Sequence, residues 1–230
     1  MNPILTSSVE AAYSHLRNKI LSGSFAPGSR LVTQQVATAL GLSRTPVKEA
    51  LARLEAERLV IRVGSWGYTV RTLTLKDAKE IFETRMVVEV ACAQIAAQNA
   101  CPADLEKLER ILDKTRKLAK NNKVDEFLIQ SRLLHGQVAE STKNSILLSM
   151  FNQVNSLILL FAYSIVQADP GRMLEIVAEN EVLVAAIKSK DEDLAGRLIR
   201  SQVLKAREKY DSLISGGRLN LSLKLNEFHA

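Results

Sequence analysis

The chain has 230 residues, 47% hydrophobic and 24% charged, with 31 Lys and Arg against 25 Asp and Glu for a net charge of +6. That balance excludes a disordered chain, and the length excludes a minimal scaffold that depends on disulfides. Aromatics at 5%, with ten Gly and five Pro among abundant Leu, Ala and Val, exclude a many-turned β-sandwich or barrel as the main body and favour helices.

From Val9 to Leu21 the positions Ala12, Leu16 and Ile20 fall on one helical stripe, with Gly23 as a stop. Pro27-Gly28 marks a turn, an extended piece follows at Arg30 to Val32, and Thr33 is placed to cap a helix that ends at Gly41. After a short connection, Ser43 or Thr45 caps a third helix with Pro46 in its first turn, where a missing N–H costs nothing. Val47, Leu51 and Leu54 share one face of that helix, while Arg44 and Lys48 share another. Two helices joined so tightly are a helix-turn-helix candidate. The runs Leu59 to Val63 and Tyr68 to Arg71 flank a Gly-bounded tip and read as a hairpin, which makes the whole a winged helix.

Thr72 to Thr74 read as a linker, and Thr74 with Asp77 as a capping box opening a long helix to about Gln98. Helical periodicity continues over 103–120, 124–141, 144–168, 171–188 and 191–213, and six such helices with short connections predict an antiparallel bundle. The fold class expected is therefore mainly α: a winged helix-turn-helix over 1–72 with a small β-hairpin wing, an all-α bundle over 73–214, and a tail over 215–230. In that tail residues 218–225 alternate with a strand period, which calls for a partner edge or leaves the segment loose.

Charge follows the same division. Residues 1–72 hold nine Lys and Arg against four Asp and Glu, whereas the remaining 158 are nearly balanced. A basic head on a neutral body suits a polyanion-binding module with a separate sensing or assembly domain. The N-terminus lacks a secretory pattern and no apolar run is long enough for a membrane span, so a cytoplasmic location without a membrane partner is expected. Cys92 and Cys101 make neither a CxxC pair nor a ligand set and read as packing thiols.

Pro27-Gly28, Val36-Ala37, Ser43-Arg-Thr-Pro-Val-Lys-Glu-Ala-Leu51, Leu59-Val60 and Gly67-Tyr68 together resemble the GntR family of bacterial transcriptional regulators. The helical body, with Arg85 and Glu89 on its first long helix, is similar to the branch with an all-α effector domain called FCD. The two resemblances span about residues 9 to 212. They imply a homodimeric regulator, commonly a repressor, on a pseudo-palindromic double-stranded DNA operator, controlled by a small-molecule effector.

On that resemblance Arg44 is the first candidate for reading base edges, Ser43 and Thr45 for hydroxyl contacts, Lys48 for a phosphate or guanine, and Gly67 for close approach of the wing backbone to the minor groove. Gln34 and Gln35 on the second helix are further candidates. Three positions depart from the family pattern. Lys48 stands for an Arg and loses the planar guanine-reading fork, and Arg58 stands where Gly is common. Trp66 at the wing tip either reaches a groove or folds back on its strands.

Many FCD domains hold a divalent metal through an Asp, a His four residues later and two further His. The matching positions here are Ser131, His135, Asn180 and Gln202, so no metal and no cofactor are expected. Those four should instead line a neutral, hydrogen-bonding effector cavity. His135 alternatively is a satisfied core histidine. Arg85 either clamps an anionic effector such as a carboxylate or pairs with Glu89 four residues on.

Two rivals come from other classes. A helical enzyme acting on a nucleotide or RNA lacks a Gly-rich phosphate loop, a nucleophilic triad and His/Cys clusters here, so no enzymatic activity is expected. A nonspecific architectural DNA binder without an effector differs from a regulator in its affinity ratio between specific and random duplexes.

Overall fold

In a computed structural model, residues 3–21, 24–64, 67–169 and 171–216 are described. The chain divides into two compact units, Met1–Leu73 and Thr74–Ala230. The first contains α1 (Pro3–Leu21), β1 (Arg30–Val32), α2 (Thr33–Leu40), α3 (Arg44–Ala56), β2 (Val60–Val63) and β3 (Gly67–Val70). The predicted stripe of Ala12, Leu16 and Ile20 is buried, together with Leu31, Val47, Ala50, Leu51, Leu54, Leu59, Tyr68 and Val70. One face of α1 and the inner face of α3 thus supply most of this core, and α1 packs on α3.

The helix-turn-helix and hairpin are present, with local differences from the expectation. α1 begins at Pro3, six residues before the periodic stripe starts, because a helix can continue past the residues that pack. Thr33 is the first helical residue of α2, and extended Val32 occupies the cap position without a side-chain hydrogen bond. Gly41 does end α2, in the left-handed conformation at φ 63°, which a residue without Cβ adopts at little cost. The extended piece β1 does more than connect: it pairs antiparallel with β3, giving a three-stranded sheet of order β1-β3-β2. Gly67 stands opposite Val32 and Val63, and a Cβ there would lie 2.8 Å from the Leu31 carbonyl oxygen. The tight pairing of β1 and β3 therefore calls for glycine at 67. Gly23, Trp66 and residues 218–225 lie outside the described residues.

The second unit consists, among the described residues, of α4 (Leu75–Asn99), α5 (Pro102–Lys120), α6 (Val124–Ser141), α7 (Ser145–Ala168), α8 (Arg172–Lys188) and α9 (Glu192–Ser215). Their starts are written in the caps. Thr74 Oγ1 accepts from the Asp77 N–H at 3.1 Å while Asp77 Oδ2 accepts from the Thr74 N–H at 2.9 Å, which is the predicted capping box. Pro102 opens α5, Asn144 Oδ1 caps α7 through Ile146 and Leu147, and Asp191 Oδ1 caps α9 through Leu194. α4 is the central helix, packed against α6, α7, α8 and α9, while α5 lies on α6 and α8. Cys92 is buried as expected of a packing thiol, but Cys101 is exposed. Its place at the N-terminus of α5, where its N–H donates to Asp104 Oδ2 at 3.0 Å, keeps it off the packed face.

Candidate nucleic-acid interface and ligand cavity

The two ends of α3 are used differently. At the C-terminal end, Arg53 Nη1 reaches Glu10 Oε2 at 2.8 Å and its guanidinium lies 4.0 Å from the centre of the Tyr13 ring. Tyr13 Oη donates to Glu57 Oε1, and Arg17 Nε lies 3.5 Å from Glu57 Oε2. Partial burial, then the Glu57 carboxylate, push the Tyr13 hydroxyl up to about 12, so it stays a donor. These contacts tether α3 to α1 at the end that Arg44 and Lys48 do not occupy.

At the N-terminal end, Ser43, Arg44, Thr45 and Lys48 are all exposed. Ser43 holds the cap position in extended conformation, yet its hydroxyl makes no capping hydrogen bond, contrary to the capping role expected of Ser43 or Thr45. Thr45 lies in the first turn. Arg30, Arg44, Lys48, Arg58 and Arg62 are exposed and form no ion pair among the described residues. A helix N-terminus bearing cations and free hydroxyls attracts phosphate, because unpaired N–H groups and the helix dipole act with the side-chain charge. Gln34 and Gln35 are exposed on α2, with Gln34 Nε2 3.5 Å from Thr38 Oγ1. Arg58 has φ 59°, which explains why a glycine suits this position.

A cavity with about 670 Å³ of space not filled by atoms, its open mouth included, lies inside the second unit. Arg85, Ser131, His135 and Gln202 line it together with apolar Phe82, Leu128, Ile158, Ile165 and Ile176. Asn180 does not line it. It is fully buried and accepts from Gln202 Nε2 at 3.2 Å, so it orients Gln202 from behind.

The expectation of a neutral cavity is overturned by Arg132 and Arg172, which line it as well, with Glu179. Of the two alternatives for Arg85 the ion pair is present, its Nε donating to Glu89 Oε1 at 2.9 Å, and the side chain also lines the cavity. Arg132 Nη2 reaches the same oxygen at 3.2 Å and its Nε donates to Asn155 Oδ1 at 2.6 Å. Glu89 is 3% exposed. Burial opposes its ionisation, but the Arg132 and Arg85 guanidiniums outweigh that and hold the carboxyl well below the usual range. His135 Nδ1 lies 3.5 Å from Glu89 Oε2, too far for a good hydrogen bond, and that oxygen has no other partner. Burial first, and the Arg132 charge next, push the His135 imidazole far down, so it is neutral. Arg172 forms a bidentate pair with Glu179, both bonds at 2.9 Å, and also reaches Glu175.

These donors do not fit a divalent metal. A hydroxyl, one imidazole and two amides, one of whose oxygens is taken by the other, stand beside the guanidiniums of Arg85, Arg132 and Arg172, which repel a dication. No group of three His, Cys, Asp or Glu that could hold a metal ion occurs among the described residues. Sequence reasoning missed Arg132, Arg172 and Glu179. The only signal for Arg132 was its place three residues before His135 on one helix face.

Residues 80–204 match the FCD domain, and residues 8–70 match the bacterial regulatory proteins of the gntR family. The chain belongs to the GntR family. The resemblance read from the Ser43–Leu51 segment and from Arg85 and Glu89 is thereby confirmed. This GntR-family chain is 30% identical over 183 residues to the gluconate operon transcriptional repressor of Bacillus licheniformis, covering 78% of the chain and 75% of the relative. It is 28% identical over 192 residues to the HTH-type transcriptional regulator McbR of Escherichia coli K12, covering 82% and 85%. The solved structure of E. coli McbR superposes with a TM-score of 0.75 at 24% identity, covering 95% of this chain and 99% of that one, so the fold is shared. The family's members are DNA-binding transcriptional regulators, and this chain is one of them. Among the described residues no helix is long and apolar enough to cross a membrane.

Proposed function

We propose that this regulator is a cytoplasmic homodimeric repressor that grips a pseudo-palindromic duplex with two copies of α3 and releases it when an anionic small molecule fills the bundle cavity. Arg44 reads a base edge in the major groove. Ser43, Thr45 and Lys48 hold phosphates around it, Gln34 and Gln35 brace the backbone from α2, and Gly67 lets the wing approach the minor groove. In the body Arg85 takes the effector's negative group, Ser131, His135 and Gln202 supply neutral hydrogen bonds, and Asn180 positions Gln202. Residues 1–72 serve DNA binding and residues 73–214 serve sensing.

The observation that carries the reading is the exposed, unpaired pair Arg44 and Lys48 on the N-terminal turns of a helix tethered at its other end. Regulation requires only that the effector prefer one of two arrangements of the dimer, since differential affinity shifts their populations.

The test is Arg44→Ala in the full-length chain. The expected result is an unchanged fold and a loss of about 1–3 kcal/mol of discrimination between a duplex selected from a random library and unselected DNA. The comparison is made by titration across a salt series, because screening removes the electrostatic part of affinity and leaves base reading. Equal discrimination by both proteins overturns the assignment of α3. Equal affinity of the unsubstituted protein for all duplexes overturns the regulator reading in favour of an architectural binder.

A further inference from the structure

We infer that the bundle cavity is a receptor for one negative charge, bound directly by guanidinium and without a metal, on a molecule whose remaining body is apolar. The inference rests on the reading of this cavity as the effector site and specifies the effector's chemistry.

Among the described residues the cavity's charge inventory does not balance. The charged side chains of the wall and their ion-pair partners form two clusters among the described residues. In one, Arg172 and Lys205 face Glu175 and Glu179, two cations on two anions, with Arg172 bidentate on Glu179 and Lys205 Nζ 3.0 Å from it. That cluster is balanced. In the other, Arg85 and Arg132 share a single carboxylate, Glu89, and even share one of its oxygens, at 2.9 and 3.2 Å. All three are between 3% and 7% exposed. His135 beside them contributes no charge. Among the described residues one positive charge is therefore left over in a wall of the cavity.

A buried charge without a counter-charge is costly, and water offers it less than an anion does. The spare donors point to where the counter-charge goes. Arg85 spends only Nε on Glu89, and its two Nη atoms form no hydrogen bond with the described residues. Nη1 of Arg132 is likewise unused. None of these three is among the side-chain atoms sealed away without a partner. Arg85 and Arg132 both line the cavity, and a carboxylate accepts two or three such donors. The rest of the lining, Phe82, Leu128, Ile158, Ile165, Val166 and Ile176, offers dispersion contacts to an uncharged apolar body. A second charge on the ligand would meet no counter-charge.

The experiment uses the full chain with EDTA throughout. Its thermal unfolding midpoint is measured with acetate, butyrate, hexanoate and benzoate, with the alcohol of each, with hexylammonium, and with hexyl phosphate, which is mostly doubly charged at neutral pH. Chloride at equal ionic strength is the reference. The expected result is stabilisation by the larger carboxylates, unchanged when EDTA is replaced by zinc or manganese. Affinity for the best carboxylate should be about ten-fold or more above that for its alcohol, as a charge-assisted hydrogen bond implies. Hexylammonium should not bind, and hexyl phosphate should bind more weakly than hexanoate. Arg85→Gln, which leaves one guanidinium on one carboxylate, should keep the fold and lose the preference for carboxylate over alcohol. Arg85→Lys should retain part of it.

The inference is overturned if no carboxylate stabilises beyond chloride, if an alcohol or the phosphate does as well, if binding requires the metal, or if Arg85→Gln binds carboxylate unchanged. A duplex enriched from a random library by the same protein separates the two levels. Tight duplex binding without any carboxylate effect removes this inference alone, and absence of selective duplex binding removes the regulator reading.

Discussion

Removing Glu89 is predicted to cost far more than removing either cation that it serves. Glu89→Gln keeps the shape but leaves Arg85 and Arg132 both uncompensated, each less than a tenth exposed, bonded to one oxygen that is no longer charged. Breaking a buried ion pair in this way costs about 3–5 kcal/mol. Arg85→Met deletes one of two cations and leaves Arg132 paired with Glu89. The lost charged hydrogen bond, about 1.5–3 kcal/mol, is offset by relief of repulsion between the guanidiniums, for a net cost of about 1 kcal/mol. For a unit of this size each kcal/mol moves the midpoint by about 2–4 °C. Glu89→Gln should therefore unfold roughly 6–20 °C earlier and Arg85→Met roughly 2–4 °C earlier. Far-UV circular dichroism, to which the bundle helices contribute most, is recorded together with the fluorescence of the single tryptophan, Trp66. Equal shifts for the two variants, or a shift confined to the tryptophan signal, would refute the charge inventory.

Two further outcomes are expected. The folded protein keeps His135 neutral, whereas the unfolded chain takes up a proton from about pH 6.5 downward, so stability is present above that pH and declines as pH falls, by up to about 1.4 kcal/mol per pH unit below about pH 6. Glu89 contributes in the same direction only below about pH 4.5. Urea midpoints between about pH 6.5 and 5 should thus slope in the unsubstituted protein and flatten in His135→Gln, and parallel slopes would contradict the neutral imidazole. Arg58→Gly should stabilise the N-terminal unit by roughly 0.5–1 kcal/mol in Trp66-monitored melting, because glycine relieves the left-handed strain at φ 59° but gains freedom when unfolded.

Local pattern carried the helices, the turn and the wing. A stripe such as Ala12, Leu16 and Ile20, a stop such as Gly41 and a box such as Thr74 with Asp77 act within one or two turns, so their consequences are legible in order along the chain. The same holds for Arg44 and Lys48, whose spacing on a helix already separates them from the packed face. The four cavity positions came by resemblance alone, and one of them, Asn180, stands behind the wall rather than in it.

Tertiary structure decided the electrostatics. Arg132 meets Glu89 across 43 positions and Arg116 meets Glu181 across 65, and no periodicity links partners on different helices. Whether Ser43 caps its helix or leaves its hydroxyl to solvent depended on side-chain orientation, and whether Cys101 packs depended on where α5 begins. The amino-acid order alone determined that a basic winged helix precedes a neutral bundle, because propensity, capping and stripe periodicity are local. It left open that two arginines share one carboxylate beside a cavity, because Coulomb interactions depend on distances that only the packing of α4 against α6 creates.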